Sequence, residues 1–103
     1  VLHSFSGPVD YAEAALEMGF LIAFGGLVFR RGEEVSAEVA TVVPLDRLLT
    51  ETDSPFLKPK GVKGSRNQPA NVAVTAEWLL RLRHDDRDAF GQALVDNFDR
   101  LVG

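Results

Sequence analysis

Phe20-Leu21-Ile22-Ala23-Phe24-Gly25 is apolar at every position, with no polar residue alternating through it. A half-exposed strand alternates, whereas a short unbroken run bounded by turn residues fits a strand covered on both faces. Such strands belong to parallel sheets wrapped by helices. Gly19 stands before this run and Gly25-Gly26 end it, where the backbone is expected to turn or approach a neighbour closely.

The flanking segments carry the same grammar. Val1 to Phe5 reads as a strand whose C-terminal end is His3-Ser4-Phe5. Ser6-Gly7-Pro8 supplies a cap and a first-turn proline for a helix reaching about Met18. A second helix is expected from about Glu33 to Val43, with acids in its first turn and Val35, Val39 and Val42 as its buried stripe. Pro44 ends it. Arg47 to Thr52 reads as a third strand, finishing at Glu51-Thr52-Asp53-Ser54-Pro55, and a Pro-, Gly- and Lys-rich loop follows to about Asn67. A third helix is expected from near Pro69 to about Arg83, with Val72, Ala76, Leu79 and Leu80 on one side. Asp85-Asp86 interrupts it, and a last helix carries Phe90, Leu94, Phe98 and Leu101 at helical spacing, read as a core-facing stripe. Strand–helix alternation of this kind predicts an α/β chain built on a parallel sheet.

Composition narrows the function classes. A 103-residue chain that is 46% apolar and 25% charged has the apolar content of a globular domain, not of a disordered tail. Having no cysteine, it can form neither a disulfide nor a thiolate metal site. The longest charge-free stretch, Met18 to Phe29, falls well short of the ~20 apolar residues a membrane span needs. The net charge is −4, yet Lys58, Lys60, Lys63 and Arg66 fall in one stretch with no acid among them. A globally acidic protein binds phosphate if its cations are gathered at the site. Read alone, the stretch is equally a solvated loop.

Parallel sheets place ligands at the C-terminal ends of their strands. His3, Ser4 and Ser6 follow the first strand and Glu51, Thr52 and Asp53 the third, so the unusual polar residues gather at one rim. Each has a bland alternative: His3 as a hydrogen-bonded core histidine, Asp53 as an Asx turn before Ser54-Pro55, Asn67 as a helix cap, Trp78 as packing, and His84 as an exposed helix-end residue. Glu51 and Asp53, two residues apart, face the same side of a strand. Two converging carboxylates repel unless a cation stands between them or one is protonated. A divalent metal relieves that repulsion, and a neutral imidazole such as His3 suits it as a nitrogen ligand.

His3-Ser4-Phe5-Ser6-Gly7 resembles the H-x-F-S-G motif of TatD-type metal-dependent deoxyribonucleases, and Glu51-Thr52-Asp53-Ser54-Pro55 resembles that family's E-T-D-S-P motif. Gly19 to Gly26 is similar to its middle strand, Lys63 to Pro69 to its G-x-R-N-x-P segment, and Asn97 to Leu101 to its closing helix. The segments occur in the family's order along essentially the whole chain. Ala23 and Gly25 stand where serines are common, a departure expected to alter local hydrogen bonds and not the chemistry.

The resemblance implies a TIM-type (β/α)8 barrel of which this chain is the last three strand–helix units, incomplete by itself, in a cytoplasmic enzyme. It implies that His3 and Asp53 are metal ligands, that Asp53 also orients or deprotonates the attacking water, and that Glu51 supports them from behind. The cofactors implied are divalent metal ions (Mg, Mn or Zn), two in the intact enzyme, and the substrate implied is DNA. Metal-assisted phosphodiester hydrolysis would use Lys63 and Arg66 to hold phosphate, Arg66 by a two-pronged contact and Lys63 as a mobile point charge. The family's remaining ligands, a His-x-His pair among them, are absent from the sequence.

A complete barrel takes ~250 residues. The chain also opens without methionine or a basic leader, directly in an apolar run, so a piece of a longer polypeptide is expected, inactive alone and prone to associate through open strand edges. Two other readings stay open: a hydrolase of the same barrel superfamily acting on a non-nucleic ester or amide, and a non-catalytic strand–helix module that binds a partner.

Overall fold

A computed structural model describes residues 1–52, 67 and 71–103. Helix α1 spans Val9–Glu17, strand β1 Ile22–Phe24, helix α2 Glu34–Val42, strand β2 Leu48–Thr50, helix α3 Val72–Arg83 and helix α4 Arg87–Val102. Short 3-10 turns at Gly26–Phe29 and Leu45–Arg47 join β1 to α2 and α2 to β2. β1 and β2 run parallel, with Ile22 opposite Leu48 and Phe24 opposite Thr50. The N-terminal segment lies along the other side of β1 through a parallel bridge between Leu2 and Ile22. Main-chain bonds from Leu2 to Leu21, Ala23 to Leu2 and Phe5 to Ala23 continue that ladder. The expected first strand is therefore present as a ladder edge, with one bridge instead of a regular strand.

The apolar run behaves as its composition requires. Ile22, Ala23 and Phe24 are all buried, Ile22 and Phe24 completely. They share one core with Phe5, Ala12, Val28, Val39, Ala40, Val43, Leu48, Leu79, Leu80 and Phe90. Helices on this sheet pack antiparallel to the strands, so each chain reversal must be sealed. Gly19 takes a left-handed φ of 85° after α1, a conformation that costs glycine nothing.

Two expected stripes are corrected. In α2, Val35 and Val42 are half-exposed or more, and the buried face is Ser36, Val39 and Ala40, with Val43 at the helix end. In α4, Phe90 is buried but Phe98 and Leu101 are exposed, and Asn97 occupies the inward position. Asn97 turns inward because its amide donates to the carbonyls of Leu45 at 2.9 Å and Leu48 at 2.7 Å. A phenylalanine there would leave both acceptors unsatisfied. Trp78 packs partly buried against the core, as expected of a packing residue.

Arg83 is treated similarly. Its side chain is 7% exposed and pairs with Asp85 at 2.6 Å. It also donates to the carbonyls of Ala40 and Val43, satisfying acceptors at the end of α2 that have no partner within the helix. His84 ends α3 in the left-handed region, φ 59°, and is exposed as expected. Asp86 caps α4 by accepting from the Ala89 amide at 2.9 Å.

Candidate metal-centre rim

The site is assembled by the sheet's own hydrogen bonds. Phe5 donates its amide to the Ala23 carbonyl and Glu51 donates its amide to the Phe24 carbonyl, each at 3.0 Å. Consecutive carbonyls of β1 therefore hold the segments bearing His3 and Glu51 on either side of the same strand end. Phe5 and Phe24 lock this arrangement from below, their rings meeting edge-on with centroids 5.6 Å apart. Between His3 and Phe5, Ser4 adopts a φ of 51°. A non-glycine residue pays about 1 kcal/mol or more for that region, and such residues cluster at working sites.

His3 and Glu51 consequently meet, with His3 Nδ1 3.4 Å from Glu51 Oε2. The imidazole side chain is 70% exposed and the carboxylate 18% exposed. His3 is therefore not embedded among apolar neighbours as its sequence context implies: the bend at Ser4 separates it from buried Phe5 and turns it out to the rim. An ion pair this exposed contributes only about 0–1 kcal/mol to stability. The bend at Ser4 costs at least as much, so the pair is a poor investment as a structural device.

The donor set fits a divalent cation in part. A carboxylate facing Nδ1 is the arrangement by which an outer carboxylate orients a metal-bound histidine. Glu51 thus suits the supporting role assigned to it. Among the described residues no group of three or more His, Asp or Glu side chains is placed to hold a metal. Asp53, Lys58, Lys60, Lys63 and Arg66, the other residues singled out for metal or phosphate, lie outside the described residues.

Asn67 does not take the helix-capping role expected of it. The third helix runs Val72–Arg83 with Asn71 in the capping position. Asn67, 3% exposed, instead donates to the Thr52 carbonyl and accepts from the Asn71 amide at 3.0 Å. It ties the far end of the basic stretch to the strand end that leads into Asp53.

Sequence reasoning also missed a polar clamp behind the rim. Ser6 donates to the Glu33 carboxylate at 2.8 Å, Ser36 donates to the same carboxylate at 2.7 Å, and the Gly7 amide donates to Ser36 Oγ at 3.0 Å. Elsewhere, Arg87 grips Glu77 by two contacts of 2.7 and 2.8 Å. The Arg87 hydrogen bond holds the Glu77 carboxyl down at about 2, and the same hydrogen bond, followed by the charge of Glu77, raises Arg87 in turn. That pair joins α3 to α4 and takes no part in the rim.

The chain matches the family model described as TatD related DNase over residues 1–103. It is 44% identical over 101 residues to YcfH of Escherichia coli K12, an uncharacterized metal-dependent hydrolase, covering 98% of this chain and 38% of that protein. YabD of Bacillus subtilis, likewise named an uncharacterized metal-dependent hydrolase, is 35% identical over 101 residues, covering 98% of this chain and 40% of YabD. The crystal structure of YjjV, a TatD homologue from Escherichia coli, superposes with a TM-score of 0.84 at 34% identity, over 92% of this chain and 37% of that one. This chain therefore spans about two fifths of the length of the relatives it matches. With the family model matched along all its residues, the chain belongs to the TatD-related DNase family.

Proposed function

We propose that this chain is the C-terminal part of a (β/α)8 metal-dependent hydrolase that cleaves phosphodiester bonds in DNA. The observation that carries this reading is the meeting of His3 and Glu51 at 3.4 Å on the rim formed by the strands' C-terminal ends. His3 binds the metal through Nε2 while Glu51 holds Nδ1 and fixes the ring. Asp53, two residues beyond Glu51, completes this chain's share of the ligands and takes a proton from the attacking water. A divalent cation, when bound, makes hydroxide available near neutral pH and offsets charge on the phosphoryl oxygens. Lys63 and Arg66 hold the phosphate by charge.

Because the remaining ligands lie elsewhere in the barrel, the isolated chain is inactive. The test joins this chain to the N-terminal part of YcfH and assays single-stranded and nicked DNA against ester substrates, with added magnesium or manganese. Metal-dependent DNA cleavage that falls at least ~100-fold in Asp53→Ala, and more than ester hydrolysis does in Lys63→Ala/Arg66→Ala, supports the reading. Ester or amide turnover without DNA cleavage replaces the substrate assignment, and a folded chimera indifferent to His3→Ala and Asp53→Ala overturns the enzyme reading.

A further inference from the structure

We infer that Glu33 and Ser36, at the start of α2, are positioning residues for His3, an inference that rests on the hydrolase reading for its purpose but not for its test. Neither residue touches the imidazole. They act through the turn that follows it. Glu33 accepts from Ser6 Oγ at 2.8 Å and from Ser36 Oγ at 2.7 Å, and Ser36 Oγ in turn accepts the Gly7 amide at 3.0 Å. One carboxylate and one hydroxyl thus bind two consecutive residues of the turn, through a side chain and a main-chain amide.

Gly7 explains why the turn needs holding. Its φ of 147° is one that L side chains rarely adopt, and a Cβ there would stand 3.3 Å from the Tyr11 ring. A flexible residue at a pivot costs entropy to fix. Upstream, the segment is fixed at Phe5, which is 2% exposed and bonded to Ala23. With Leu2 bonded to Leu21 and Ala23 on one side, and Phe5 on the other held by the core and by the clamped Ser6-Gly7 turn beyond it, Ser4 has little room to leave its left-handed φ of 51°. Held at that angle, Ser4 turns His3 out to the rim, where its ring meets the Glu51 carboxylate.

Ser36 itself is 1% exposed on a helix face otherwise lined by Val39 and Ala40. A serine so placed would be a defect in an apolar face unless its hydroxyl were used. It is used in both directions, as donor to Glu33 and as acceptor from Gly7. The clamp therefore couples the starts of α1 and α2 to the orientation of one rim residue.

The test uses the whole 103-residue chain, isotope-labelled, with no metal or substrate, so its failure is separate from failure of the hydrolase reading. Three quantities are read by NMR: the Ser4 intraresidue amide-to-Hα contact, the contact between the His3 ring and the Glu51 side chain, and exchange of the Gly7 amide. Glu33→Ala and Ser36→Ala are expected to average the first two signals away and to speed Gly7 exchange at least ~10-fold. Glu33→Gln, which keeps an acceptor, restores them in part, and Glu34→Ala leaves all three unchanged. If Glu33→Ala does not fold, Ser6→Ala, which removes one exposed hydroxyl, carries the same expectation for the His3 ring contact. A Glu33→Ala or Ser6→Ala chain that melts lower but retains the Ser4 conformation and the His3–Glu51 contact overturns the inference, because the clamp is then structural only.

Discussion

The two ends of the sheet use polar side chains differently. At the strands' N-terminal end, side chains bind main-chain carbonyls: Asn97 holds Leu45 and Leu48, Arg100 holds Asp46, Arg47 reaches Leu16 and Phe20, and Arg83 holds Ala40 and Val43. At the C-terminal end, beside the bond from Asn67 to the Thr52 carbonyl, side chains chiefly meet one another: His3 meets Glu51, and Ser6 and Ser36 share Glu33. Where the carbonyl is buried, as at Leu48, such a bond is structure, because its loss leaves a buried acceptor unpaired. An exposed imidazole beside a carboxylate adds little stability. Concavity alone does not separate the ends. A groove of 590 Å³ lined by Leu45, Asp46, Asn97, Asp99 and Arg100 lies at the structural end.

The contrast breaks most sharply under substitution. Asn97→Ala is expected to destabilise the fold by about 2–4 kcal/mol, since one buried and one part-buried carbonyl lose their donor. Denaturant unfolding measures it, and a loss under about 0.5 kcal/mol would mean that water replaces the amide. Arg83→Ala should cost somewhat less, about 2–3 kcal/mol, its Asp85 partner being partly exposed. His3→Ala, at the other end, should change stability by no more than about 0.5 kcal/mol. A large loss there would make the rim as structural as the base.

The smallest expected effect is a pH dependence belonging to neither end. Glu77 has its carboxyl lowered from 4.5 to about 2 by Arg87, so its contribution is full above pH 4.5 and is lost as pH falls from there toward 2. Arg87→Ala should flatten that part of the stability profile. An unchanged slope between pH 4.5 and 2 would show that the exposed pair is inert.

These contrasts also mark what the sequence made legible. The order of elements and the convergence of His3 with Glu51 follow from strand–helix alternation, which fixes every strand's C-terminal end on one rim. The clamp and the inward Asn97 do not follow from it. A periodic pattern places valine inside and serine outside, yet Val35 and Val42 are exposed while Ser36 is buried. What reverses the order is a partner distant in the chain: Gly7 lies 29 residues from Ser36, and Leu48 lies 49 from Asn97. Local spacing carries no record of such partners. The left-handed φ of Ser4 is equally illegible from local spacing, since the residues flanking it are held by partners distant in the chain, Leu2 by Leu21 and Ala23 and Phe5 by Ala23.

Manganese titrated into the isotope-labelled chain tests most directly whether the His3 rim receives a metal. Paramagnetic broadening should begin at His3, Ser4, Glu51 and Thr52, spare Asn97 and Arg100, and vanish in His3→Ala and Asp53→Ala. Broadening that spreads evenly over the acidic surface, or that persists unchanged in both variants, would contradict it.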